Sequence, residues 1–256
     1  MLTRNSSAEA NLLKVIPVID ILGGKVVHAV RGRRKEYQPL RSRLCSSTNP
    51  LDVAAAFRKL GFSTLYVADL DAILGGKANL PVLRDIADKT GLELMVDAGV
   101  DSLKKAERLL ENHVSKIIIG TETLPAISLV SEVISQLGNE KVIISIDLMN
   151  SQLLSRLSTA SPMQPMAFLQ GLQNAGVTQV IVLDLARVGS GEGVDVHFIS
   201  EARRKFHGAV FVGGGVRGIS DLLELKKMGI AGVLVATALH SGAISVDELR
   251  QLKLLT

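Results

Sequence analysis

The chain of 256 residues has no tryptophan, and aromatic residues make up only 3% of it. Surfaces that read RNA or single strands interleave basic side chains with aromatics. The scarcity therefore argues against a nucleic-acid partner, despite a formal charge of +4. There is one cysteine, Cys45. A single thiol forms no disulfide within the chain and supplies no cysteine-based zinc site, which fits a reducing, cytoplasmic setting. With no histidine beside it, Cys45 reads as a free buried thiol and not as a nucleophile. No apolar run reaches the ~20 residues of a membrane span. The opening "MLTRNSSAEANLLK" is polar and lacks the apolar core of a secretory signal. Residues 1–13 are read as a flexible tail and residues 14–256 as a single domain.

What is present is a run of short apolar segments rich in valine and isoleucine: "KVIPVID", "TLYVADL", "ELMVDAG", "KIIIGT", "KVIISID", "QVIVLDL", "AVFVGGG" and "GVLVAT". They are nearly continuous apolar, which is how strands buried on both faces read. Helical patterns separate them. "NPLDVAAAFRKLG" has Asn49 as an N-cap, Pro50 in the first turn and Gly61 as a stop. Eight strands alternating with eight helices predict an α/β fold, a (β/α)8 TIM barrel, with a doubly wound open sheet as the alternative. In a barrel the chemistry sits at the C-terminal strand ends. Here those ends carry Asp20, Asp69, Asp97, Asp147, Asp184 and a glycine cluster at Gly213.

The two halves of the chain repeat each other, at about residues 14–135 and 136–256. Asp69 matches Asp184, Gly99 matches Gly215, and Thr121 matches Thr237, at spacings of 115 or 116 residues. Asp20 matches Asp147 at 127, so the first half has extra length after its first strand. A half-barrel repeat places Asp20 and Asp147 across the barrel mouth from each other. Opposed carboxylates suit acid–base work, one ionised and the other held protonated. The segment "GGGVRG" (Gly213, Gly214, Gly215 and Arg217), with Ala236 and Thr237 after the last strand, has the makings of a backbone anion site. Its counterpart "DAGVDS" reverses the charge, placing Asp97 and Asp101 where the second half has Gly213 and Arg217. Asp101 also fits a helix N-cap. The basic run "RGRRKEYQPLRSR" reads either as a solvated loop or as one that holds an anion through Arg31, Arg33, Arg34 and Lys35, with Tyr37 stacking or donating.

"VIPVIDILGGKVV", "LYVADLDAILGGKANLPVL", "IIIGT", "SIDL" and "VFVGGGVRGISDL" resemble the HisA/HisF family of histidine-biosynthesis barrels from Lys14 onward, closer to the isomerase branch at "VADLDAI". The resemblance implies a cofactor-free and metal-free Amadori-type aldose–ketose isomerisation, with Asp20 as general base and Asp147 as general acid. It also implies a substrate with two phosphates, one held by each half. The first-half phosphate motif is altered, which points to a divergent paralogue acting on a monophosphate, with Asp97 taking a catalytic or hydroxyl-binding role. Such paralogues are associated with archaeal-type one-carbon cofactor pathways (methanopterin or methanofuran). The usual motif after the sixth strand is replaced by "ARVGSGEG", so the family's assisting threonine is either absent or replaced by Asp184 or Ser190. Asp69 and Thr121 are further substrate-binding candidates. Lyase or cyclase chemistry, and a non-catalytic binder or assembly protein, are the competing readings. The expected partner is a phosphorylated small molecule, with no membrane.

Overall fold

The computed structural model describes residues 13–157 and 163–255. The strands are β1 (Lys14–Leu22), β2 (Lys25–His28), β3 (Gln38–Pro39), β4 (Thr64–Asp69), β5 (Glu93–Asp97), β6 (Lys116–Gly120), β7 (Val142–Met149), β8 (Gln152–Leu153), β9 (Gln179–Asp184), β10 (Ala209–Gly213) and β11 (Gly232–Val235). The helices are α1 (Pro50–Leu60), α2 (Leu70–Ile73), α3 (Leu80–Thr90), α4 (Leu103–Leu110), α5 (Ser128–Leu137), α6 (Pro165–Asn174), α7 (Val196–Lys205), α8 (Ile219–Lys227), α9 (Thr237–His240) and α10 (Val246–Gln251). Eight of the strands run parallel in the order β1, β4, β5, β6, β7, β9, β10, β11, and β11 pairs back onto β1 through Lys14 opposite Gly232. The sheet is thus a closed barrel, and the open-sheet alternative falls. The three additional strands are local hairpin pieces. β2 folds back on β1 and carries β3, and β8 folds back on β7 through Asn150 and Ser151, both at positive φ. Residues 1–12 of the expected tail lie outside the described residues, whereas Leu13 is buried in the core.

The barrel is filled by Ile16, Tyr66, Met95, Ile118, Ile143, Ile181, Phe211 and Leu234, one from each of the eight strands. A second, larger core lies between the strands and the surrounding helices. Helix ends follow local chemistry. The Asn49 side chain accepts from the Leu51 and Asp52 N–H groups, and Gly61 closes α1 in the left-handed conformation. Ser245 and Glu248 form a reciprocal capping box on α10. The repeat extends to strand register. Asp20 lies opposite Ala68 and Asp147 opposite Leu183; Asp97 lies opposite Ile118 and Gly213 opposite Leu234. The extra length after β1 is the β2–β3 excursion, which brings the basic run over the C-terminal mouth. Among the described residues no helix is long and apolar enough to cross a membrane.

Candidate active site

A cavity of about 250 Å³ opens at the C-terminal mouth of the barrel. Its walls include Asp20, Asp97, Asp147, Glu122, Arg34, Tyr37 and Tyr66 on one side and Gly213, Gly214, Gly215, Ala236 and Thr237 on the other. Asp20 and Asp147 end strands four places apart in an eight-strand ring, so they face each other across it. Their surroundings differ. The Asp147 carboxylate accepts from the Ser145 hydroxyl at 2.7 Å, the Glu122 N–H at 3.1 Å and the Thr121 hydroxyl at 3.3 Å. The Asp147 N–H returns a bond to Thr121 Oγ1 at 3.0 Å. Asp20 has no hydrogen-bond donor on its carboxylate among the described residues. Burial pushes Asp147 up to about 6, with Ser145 holding it back. Burial pushes Asp20 up to about 7 against the Arg34 charge. Asp97 also rises to about 7, first through burial and then through the Asp147 charge. A methyl group placed on Gly120 would come 2.9 Å from Asp147 Oδ2 and 3.3 Å from Asp97 Oδ2. Gly120 therefore leaves the room in which these two carboxylates approach each other.

Of the cationic side chains in the basic run, Arg34 alone lines the cavity, beside Tyr37. Its guanidinium grips Glu122 through two contacts at 2.6 and 2.7 Å. Arg31 pairs with Glu192 at 2.5 Å on the outside, and Arg33 is a surface partner of Glu36. The Arg31 N–H donates to the Val188 carbonyl, tying this loop to the one after β9. Tyr37 is pushed up to about 12 by burial and by the Asp20 charge. Besides Arg31 and Arg33, the candidates Asp69, Asp184, Ser190 and Thr121 do not line the cavity. Asp69 is fully buried, caps α2 through the Ala72 N–H and accepts from both the backbone and side chain of Asn79. Asp184 is held by Arg187 at 3.1 Å and by the Ala186 N–H. The Ser190 hydroxyl donates to the Arg187 carbonyl. Thr121 is fully buried beneath Asp147, which it orients. Cys45 is half-buried and away from the cavity walls.

The glycine cluster is required by close backbone packing as well as by its opening. Gly214 (φ 95°) and Gly215 (φ 89°) pack against the carbonyls of Asp184 and Gly193, where a Cβ has no room. Among the described residues, the N–H groups of Gly215, Val216, Thr237 and Ala238 find no acceptor. Unpaired N–H groups along a cavity wall can hold an anion without any lysine. The Thr237 hydroxyl lies 3.0 Å from His28 Nε2. Arg217 lines the same wall, but its guanidinium is bound to Asp221 at 2.5 Å.

The first-half counterpart differs in an informative way. Asp101 does not cap α4; it accepts from Lys105 at 2.9 Å, one helical turn on. Asp101 and Lys105 occupy the repeat positions of Arg217 and Asp221. The charge reversal is thus a reciprocal exchange within one ion pair, and it leaves the local charge balanced. The unbalanced changes are elsewhere. Asp97 stands at the place of Gly213, and Glu122 at the place of Ala238. Glu122 and Tyr66 escape a reading of strand-end motifs alone. Setting "GTET" against "VATAL" exposes Glu122 as a carboxylate gained in one half. Tyr66 is signalled only by being one of two tyrosines in the chain, both of which line this cavity.

Residues 14–245 match the family described as "Histidine biosynthesis protein". The chain belongs to this family. It is 34% identical over 239 residues to an uncharacterised protein of Methanocaldococcus jannaschii, covering 93% of this chain and 97% of that one. It is 31% identical over 241 residues to an imidazole-4-carboxamide isomerase of Methanosarcina barkeri, whose name carries two phosphoribosyl groups (92% and 96% covered). A like-named isomerase of Halothermothrix orenii is 29% identical over 242 residues (93% and 99% covered). Family relatives that span almost the whole chain are thus named as isomerases.

Proposed function

We propose that this family member is an acid–base isomerase of a phosphorylated sugar-like small molecule, acting in the cytoplasm, with Asp20 and Asp147 as the proton-transferring pair. The observation that carries this reading is the pair itself: two carboxylates opposed across one cavity, both raised into the neutral range, with unpaired N–H groups along the adjoining wall. In an Amadori-type reaction the acid protonates the ring oxygen as its bond to C1 breaks. The base then takes the C2 proton and delivers one to C1, while the C2 hydroxyl becomes a carbonyl by returning its proton to the carboxylate that acted as acid. The rearrangement is redox-neutral overall, and two carboxylates suffice for its proton transfers. The resemblance implies Asp20 as base. In the free protein the bias runs the other way, because three donors favour the ionised form of Asp147 and none favours that of Asp20. Turnover by Asp20→Asn and Asp147→Asn tests the pair: each variant should lose about 10³-fold or more in kcat, and near-normal turnover by both refutes it. In the residual activities, loss of the acidic limb of the pH profile marks the base and loss of the alkaline limb marks the acid.

The cavity also favours a substrate other than a bis-phosphate. Its cationic lining side chains among the described residues are Arg34 and Arg217, and each is already paired with a carboxylate. Asp97 and Glu122 occupy the first-half position where a second phosphate would lie. A divergent paralogue acting on a monophosphate, of the kind associated with one-carbon cofactor pathways, accounts for both facts. Rescue of a histidine auxotroph that lacks the isomerase is the test. No growth is expected, and full rescue would restore the bis-phosphate reading.

A further inference from the structure

The cavity has two unlike ends. Unpaired N–H groups line the second-half wall, whereas the first-half wall collects Asp97 and Glu122 beside the catalytic pair. Four carboxylates face a single guanidinium there, that of Arg34. Carboxylates alone do not define a ligand. A second observation does: Tyr66 is 3% exposed, lines the cavity, and its hydroxyl makes no hydrogen bond among the described residues. That hydroxyl lies within Coulombic range of Asp97, Asp147, Asp20 and Glu122. Asp97 is similarly incomplete. Its Oδ1 accepts from the Gly99 N–H at 3.0 Å, while Oδ2, turned toward Gly120, has no donor among the described residues. The phenol oxygen of Tyr66 and one carboxylate oxygen of Asp97, each on a buried residue, are therefore both left open to the cavity, and Tyr37 adds a second aromatic ring.

We infer that this first-half wall receives a protonated amine, so that the substrate is a phosphate monoester carrying an ammonium group at its far end. The inference rests on the phosphate wall proposed above. An ammonium has three donors and no acceptor, which suits Asp97 Oδ2 and the Tyr66 oxygen together. Aromatic rings add cation–π attraction at a desolvated site. A cation also relieves the burial that pushes Asp97 up to about 7. A metal ion is a poorer occupant: among the described residues no three His, Cys, Asp or Glu side chains are grouped to hold one. Arg34 on Glu122 shows the chain already satisfying one of these carboxylates with an organic cation.

Calorimetric binding of four matched series of three- to six-carbon esters tests the inference: alkyl monophosphates, ω-hydroxyalkyl monophosphates, ω-aminoalkyl monophosphates and α,ω-bisphosphates. The amino ester of the best length should bind about tenfold or more tighter than its alkyl and hydroxyalkyl partners, with the bisphosphate weakest. Asp97→Asn and, separately, Tyr66→Phe should bring the amino ester down toward the alkyl ester. An alkyl ester that binds with no gain from the amine overturns the ammonium inference alone, as does a bisphosphate that binds best. Failure of every ester to bind overturns the phosphate wall and, with it, the inference.

Discussion

Replacing Asp97 by asparagine should stabilise the fold at pH 8 and do much less at pH 5. Asp97 is 8% exposed, and its ordinary value of 3.8 is raised to about 7 by burial and by the Asp147 charge. A raised carboxylate means that the folded state binds the proton more tightly than the unfolded chain does. The side chain's contribution is therefore fully present below about pH 4 and is lost as the pH rises toward 7. Each unit of displacement corresponds to about 1.4 kcal/mol. Between pH 5 and pH 8 roughly two units remain to be lost, so the gain from Asp97→Asn should grow by about 3 kcal/mol over that interval. Asparagine keeps an oxygen for the Gly99 N–H, so the comparison isolates the charge. Urea unfolding of the wild type and the variant at the two pH values measures the difference. An equal effect at both, or a less stable variant at pH 8, would refute the claim that this carboxylate carries a buried-charge penalty.

Three further outcomes are expected. Gly214→Ala should cost about 3 kcal/mol and depress Tm by several degrees, because φ is 95° and the new methyl meets the Asp184 carbonyl; an unchanged Tm contradicts the packing described. Arg34→Met should move upward in pH whichever limb of kcat/KM Asp20 governs, since Arg34 is the charge that holds Asp20 down; a profile with neither limb raised dissociates Arg34 from Asp20. Lys105→Asp should cost about 0.5 kcal/mol, and adding Asp101→Arg should recover most of it, re-creating the polarity of the Arg217–Asp221 pair. Denaturant titrations of both singles and the double close that cycle, and simple additivity would show that the exchange is not reciprocal.

Much of this architecture was legible in the chain. Strands buried on both faces must be apolar throughout, so all eight barrel strands could be read from composition alone. A duplicated half-barrel preserves strand order, so the repeat that pairs Gly99 with Gly215 also placed Asp20 opposite Asp147, despite the wider spacing of that pair. Strand-end aspartates were legible as a group and ambiguous as individuals. At one residue's distance from the mouth, the same side chain either faces the cavity or turns back to cap its own loop. Asp69 and Asp184 do the latter because Asn79 and Arg187 offer partners there, and those partners lie too close in sequence to signal a direction.

The charge reversal between the two motifs shows the same division. The sequence determined that Asp101 replaces an arginine. Only the helix geometry showed that Lys105, four residues on, completes an inverted pair and cancels the change. The barrel, its duplication and its facing strand-end carboxylates are set by local pattern and by period, which act along the chain. The selection of Arg34 from among its basic neighbours, the approach of Asp97 to Asp147, and the open hydroxyl of Tyr66 depend on residues far apart in sequence meeting at one cavity. Burial and Coulombic coupling exist only once the barrel has closed, so the proton affinities that govern the chemistry are properties of the tertiary structure.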